Sequence, residues 1–191
     1  LMSGVLLDNS SSPLRHALET SDLGAAPSPL CGLEDSNREM CFTCGLEGSG
    51  PEHAEAIEKL ILEVLTDVAE NGVPQEQIES VLHQLELSQR EIGGDGYPYG
   101  LQLILGGLTA AIHGGDPVAV LNLDPVLEQL RKDVEDPDFI RQLVRNNLLN
   151  NQHRVRLTLQ PDADLSKRRE QREAEKLQVI KNKLSEQDKQ K

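Results

Sequence analysis

The 191-residue sequence has no Trp and only two Phe and two Tyr. Bases and sugar rings are gripped by aromatic faces, so a stacking platform for single-stranded nucleic acid or carbohydrate is all but excluded. Basic charge is scarce as well. Nineteen Lys and Arg stand against 32 Asp and Glu, a formal net charge of −13, which argues against a phosphate-binding surface. Cysteine is limited to three, an odd count that precludes a complete disulfide framework. Reduced thiols in a cytoplasmic or other reducing compartment fit best. Long apolar runs are missing too. The longest, Leu101 to Ile112, is broken by Gln102, Gly106, Gly107 and Thr109 and is too short to span a bilayer. No signal peptide is visible, because the first residues lack a basic flank and a small-residue cleavage site. The chain opens on Leu inside an apolar stretch, as expected of a piece cut from a longer protein.

What is present is segregated charge and well-punctuated helix. Residues 165–191 hold nine Lys or Arg and five Asp or Glu, a net of +4, which leaves −17 for residues 1–164. An acidic body carries a basic tail. Pro13 follows Ser12, Pro51 follows Gly50, and Pro117, Pro125 and Pro137 each follow Asp. Proline fits the first helical position because its missing N–H has no partner to lose there. The spacing predicts helices near 13–21, 51–71, 74–92, 117–123, 125–134 and 137–149. In 51–71 the residues Ile57, Leu60, Ile61, Val64, Leu65 and Val68 form one apolar stripe opposite Glu55, Lys59, Glu63 and Glu70. Residues 99–113 are apolar all round and predict a fully buried helix.

Period-two alternation is rarer. Met40, Phe42, Cys44 and Leu46 alternate with polar neighbours, as do Val155, Leu157 and Leu159 with Arg154, Arg156 and Thr158. The second set predicts a strand whose apolar residues face the helices and whose arginines face water. A weaker strand is expected around 28–33, turning through Glu34–Asn37 into the first set. Strand, strand, several helices, strand is an α+β order: an antiparallel sheet packed against several helices, with a C-terminal extended helix beyond Pro161.

The residues capable of chemistry form no complete constellation. Cys41-x-x-Cys44 has metal-ligand spacing, but inside an alternating strand the two side chains fall on opposite faces, and Cys31 stands alone. His83-Gln-Leu-Glu86-Leu87 is one residue short of His-x-x-Glu-His, the helical motif in which two His ligate zinc and Glu activates water. Position 87 is Leu, so one ligand is missing. His16, His53, His113 and His153 have no paired spacing. Gly93-Gly94-Asp95-Gly96 and His113-Gly114-Gly115-Asp116 lack the lysine and spacing of a phosphate loop, and read as helix ends. Ser10-Ser11-Ser12 reads as a helix-entry loop. No catalytic, cofactor-binding or metal residue is assigned.

Three stretches taken together resemble one family. They are Gly4-Val-Leu-Leu-Asp-Asn-Ser-Ser-Ser-Pro-Leu-Arg-His-Ala-Leu-Glu running to Leu23-Gly24; Gly72-Val-Pro-Gln-Glu-Gln-Ile-Glu-Ser-Val-Leu-His-Gln-Leu-Glu; and Gly114-Gly-Asp-Pro-Val followed by Asn150-Asn-Gln-His-Arg-Val-Arg-Leu-Thr-Leu-Gln-Pro-Asp. In order and spacing they resemble the pitrilysin/insulinase-like zinc metallopeptidases, in particular the presequence-protease subgroup. The resemblance implies a fold of the LuxS/mitochondrial-processing-peptidase type. It also implies four homologous α+β domains, joined in the middle by a helical hairpin and closing around a peptide chamber. Residues 1–160 then correspond to the second, non-catalytic domain lacking its opening strand, and 161–191 to the first arm of the hairpin. Zinc belongs to the parent's first domain, not to this segment, which is expected to be inactive alone. The implied partners are the remainder of the same polypeptide, with its catalytic domain and C-terminal half, and the peptide substrates of the parent; no nucleic acid or membrane is expected. The implied compartment is reducing, the mitochondrial matrix in a eukaryote. A reading from a different class is a stand-alone acidic interaction module whose basic helical tail docks a partner.

Overall fold

Proline sets several helix starts in the computed structural model, which describes residues 1–90 and 98–184. Helix α1 spans Met2–Leu7. Helix α2 (Pro13–Glu19) begins with Pro13 behind the extended N-cap Ser12. A 3₁₀ turn at Pro51–His53, again opened by proline, leads into α3 (Ala54–Asn71). There follow α4 (Gln75–Arg90), α5 (Tyr99–Ile112), a 3₁₀ turn Ala119–Leu121, and α6 (Asp124–Asp133). Helix α7 (Phe139–Val144) runs on as a π turn over Arg145–Leu149, and α8 spans Leu165–Lys183. Between α2 and α3 lie four short strands: β1 (Ala26–Pro27), β2 (Gly32–Glu34), β3 (Cys41–Thr43) and β4 (Leu46–Glu47). They form two antiparallel pairs, β1 with β4 and β2 with β3. The fold is α+β, with helices predominating.

The chain divides into two units, Leu1–Arg156 and Leu157–Lys191. In the first, the apolar faces of several helices converge on one core. Val5 and Leu6 of α1, Leu14 and Leu18 of α2, Val68 of α3, and Ile140 and Val144 of α7 have at most 2% of their surface exposed. Helix α4 adds Ile78, Val81 and Leu82. Each such side chain contributes about 1.5–3 kcal/mol by leaving water. The end of α3 is finished by chain conformation and by charge. Gly72 adopts φ +79°, a left-handed turn that a Cβ would strain. Arg141 Nε donates to the Ala69 carbonyl at 3.3 Å and Nη2 to the Glu70 carbonyl, while Arg145 also donates to Ala69. Two cations thus meet the negative end of the helix dipole.

Four expectations need correction. Residues 153–159 form no strand: Val155, Leu157 and Leu159 are 91%, 76% and 79% exposed. Alternation creates a strand only where a sheet supplies hydrogen bonds and an apolar layer, and no described strand lies alongside. Helix α5 forms where expected but is not buried; Ile104 and Ile112 remain mostly exposed, and Gly107 alone in it is buried. Among the described residues it packs on the turn at 119–121 and on Pro117, which a Cβ on Gly107 would meet at 3.2 Å. The strand through 40–46 breaks into β3 and β4 at Cys44–Gly45. The helix expected over 117–123 shrinks to a single 3₁₀ turn, after Asp116 Oδ1 accepts from the Val118 and Ala119 N–H groups. In the second unit, α8 has no buried residue.

Candidate functional site

Helix α3 turns one face to the core through Leu65, Val68 and Ala69, and the other to solvent. The amphipathic spacing puts Glu55, Glu58, Glu63, Asp67 and Glu70 along an open groove of about 680 Å³. Arg156 closes one end, its Nη1 3.1 Å from Glu58 and Nη2 3.6 Å from Glu55. Lys59 pairs with Glu63 at 3.6 Å within the helix. A row of carboxylates one turn apart attracts cations at long range.

The cysteines are arranged differently from their spacing. Cys41 is exposed, whereas Cys44 is half-buried and lies beside Cys31, which the sequence left alone. The β2–β3 register makes Glu34 face Cys41 and Gly32 face Thr43. Beyond that ladder residues 29–31 bulge opposite Cys44, and Cys31 Sγ comes to 3.3 Å from the backbone N and O of Gly45. The sequence did not signal this: a turn over Glu34–Asn37 would set Cys31 against Met40, whereas the observed ladder is centred between Asn37 and Arg38. The Cys44 thiol donates to Cys31 and lowers its pKa to about 6, opposed by burial and helped by the Gly45 and Ser28 backbone. The same contact, with burial and the neighbouring negative charge, pushes Cys44 up.

The near-miss zinc motif on α4 is part of an ion pair. Glu86 accepts from Arg131 Nε at 2.6 Å, and the guanidinium holds its carboxyl below the usual range. His83 and Leu87 are exposed. His16 is exposed and His53 half-buried, with His53 3.7 Å from Glu52. His113 is exposed with Nε2 3.3 Å from the Ser36 carbonyl, and His153 is exposed. Gly114 has φ +80° just past the end of α5, a helix end as expected. Gly93–Gly96 lies outside the described residues. The serine triplet is the entry to α2: Ser12 is fully buried, with Oγ donating to the Gly4 carbonyl at 3.5 Å. Among the described residues no three His, Cys, Asp or Glu side chains gather as a metal site. The residues present do not fit zinc, because the position of the second His is Leu87 and the carboxylate is engaged by Arg131. No helix among the described residues is long and apolar enough to cross a membrane.

Helices packed against two small antiparallel strand pairs, with a row of carboxylates along α3, define an α+β segment. No family model matches the chain. Relatives do. The chain is 32% identical to the mitochondrial presequence protease of Xenopus laevis over 189 residues, 98% of the chain and 18% of that protein. It is 32% identical to the Mus musculus protein of the same name over 191 residues, again 18% of its length. Similarity to presequence protease 1, chloroplastic/mitochondrial, of Arabidopsis thaliana is 30% over 187 residues. The chain thus spans under a fifth of the curated relatives it matches. It belongs to the presequence-protease branch of the pitrilysin-like metallopeptidase family.

Proposed function

We propose that this chain is a non-catalytic, chamber-forming part of a longer zinc-dependent metalloendopeptidase that degrades peptides. The observation that carries the reading is similarity over 98% of the chain, through both units, to presequence proteases more than five times its length. Residues 1–160 serve as the second α+β domain and 161–191 as the first arm of the linking hairpin. The exposed Val155, Leu157, Leu159 and α5 side chains then pack against other parts of the same polypeptide. The α3 carboxylates face the peptide chamber and favour cationic, unstructured peptides by long-range attraction. Zinc and the residues that activate water lie elsewhere in the parent. The compartment is that of the mitochondrial relatives.

The experiment uses the complete reading frame. Glu58→Gln and Glu63→Gln introduced together should lower kcat/KM for a Lys- and Arg-rich peptide while leaving a neutral peptide unchanged, and the difference should vanish in high salt. Equal effects on both peptides would remove the chamber role of α3. The 191-residue chain alone should retain no zinc after dialysis and cleave no peptide. Stoichiometric zinc with chelator-sensitive activity would overturn the non-catalytic assignment.

A further inference from the structure

The β2–β3 ladder pairs Gly32 with Thr43, Leu33 with Phe42 and Glu34 with Cys41. The ladder ends there: Ser28 N–H donates to the Gly45 carbonyl at 2.9 Å, so residues 29–31 bulge opposite the single residue Cys44 and bring Cys31 beside it. The Cys31 N–H donates to the Ser28 carbonyl at 3.0 Å, so Cys31 and Cys44 do not exchange a backbone pair. Cys31 Sγ lies 3.3 Å from both the N and the O of Gly45, the residue following Cys44. Both thiols are half-buried, while Cys41 is exposed to solvent.

We propose that Cys31 and Cys44 form a redox-modification site, a cross-strand thiol pair that a hydroperoxide converts into an intramolecular disulfide. The Cys31 thiolate attacks one peroxide oxygen; the S–O bond forms, the O–O bond breaks, and the departing hydroxide takes a proton to become water. Cys44 sulfur then attacks Cys31 sulfur. The S–S bond forms, the S–O bond breaks, and a second water leaves with the Cys44 proton. Two thiols lose two electrons, and the peroxide is reduced to two waters. Cys31 is the attacking group because the Gly45 N–H points at its sulfur, and its pKa of about 6 keeps it ionised at neutral pH. Cys44, held protonated, is the resolving partner. The bond staples β2 to β3, whose ladder is only three pairs long, and a dithiol reductant reverses it. This site is independent of the peptidase reading, since it needs only the described strands.

The test treats the full chain carrying Cys41→Ser with hydrogen peroxide, blocks remaining thiols, and digests with trypsin. Cleavage after Arg38 separates the two cysteines, so a disulfide joins peptide 16–38 to peptide 39–59. The expected result is that linked pair in the monomer, released by dithiothreitol and absent when Cys44→Ser is added. The rate of linkage should reach half its plateau near pH 6. Unlinked peptides with both thiols still alkylatable would overturn the proposal. So would linkage that persists without Cys44, or a rate that climbs through pH 8.5 as an ordinary thiol would.

Discussion

Arg131 Nε donates to Glu86 Oε1 at 2.6 Å, joining α6 to α4 across 45 residues of sequence. The Glu86 side chain is 15% exposed, and the guanidinium is the largest cause of its lowered pKa. A carboxyl whose folded pKa lies below its unfolded value stabilises the fold above the unfolded value, about 4.3. That contribution disappears as pH falls through the folded pKa. Arg131→Ala should therefore raise the Glu86 pKa, measured by side-chain carboxyl NMR, and lower the urea midpoint at neutral pH. At about pH 3 the difference from wild type should narrow. A Glu86 titration unchanged by the substitution would show that the pair is not formed in solution.

Leu157 departs from the role that alternation predicts for it, whereas Arg156 is exposed as expected. Arg156 is bound between Glu55 and Glu58, while Leu157 is 76% exposed. Arg156→Asp places a further carboxylate against two others and should cost about 0.5–1 kcal/mol, most of it removed by salt. Leu157→Asp in the 191-residue chain should lie within about 0.5 kcal/mol of wild type, as exposed substitutions do. Thermal melts of the two variants decide it. A collapse of the Leu157→Asp protein would mean the segment 153–159 is packed after all.

The difference between what the sequence disclosed and what it hid follows from range. Helices α2, α3, α4 and α6 are local events: a capping residue, a proline at the first turn, and a stripe recurring every three or four residues lie within one segment. All four formed near the expected limits. Burial of α5 and pairing of 153–159 depend on surfaces that no local pattern contains. An apolar helix shows only that a partner is needed, not that this chain supplies it. The zinc near-miss shows the same limit at a site. Leu87 was readable as a missing ligand, but Arg131 as the partner of Glu86 became visible only when α6 docked on α4. Cys31 beside Cys44 was hidden in the same way. The spacing of Cys41 and Cys44 drew attention to the wrong pair, because it compares residues along a strand rather than across a turn.

Leu14 and Ile104 are both aliphatic residues on helices, yet Leu14 is fully buried and Ile104 is 65% exposed. Leu14→Ala removes packing between α2 and the rest of the core and should destabilise by about 2–5 kcal/mol, a large part of an ordinary domain's stability. Ile104→Ala should change stability of the 191-residue chain by less than about 0.5 kcal/mol. Denaturant titrations at constant m-value make the comparison. In the complete parent polypeptide, Ile104→Ala should become costly, because the proposed role gives α5 a partner there. Equal and small effects of Ile104→Ala in both contexts would leave α5 uncovered and weaken that role.

Helix α8 is 19 residues long and buries none of them. Helices without a packed apolar face are marginal in water. Its first turn is nevertheless anchored. Asp162 accepts from the Asp164 N–H at 3.0 Å and from both terminal nitrogens of Arg168, with Nη1 at 3.1 Å. That bidentate contact holds the Asp162 carboxyl below its usual pKa and places an anion at the positive end of the helix. Toward Lys183 the apolar residues Leu177, Val179 and Ile180 are each more than half exposed. Amide hydrogen exchange in the monomeric chain should show protection highest over 168–174, where the i−4 bonds begin, and falling toward 183. The anchor's contribution is present above the ordinary Asp range and is lost as pH falls through the lowered pKa, so acid should flatten the gradient. Asp162→Asn should flatten it at neutral pH. Uniform strong protection to Lys183, unaffected by Asp162→Asn, would mean that α8 is packed along its whole length, and its reading as an unpartnered hairpin arm would fall.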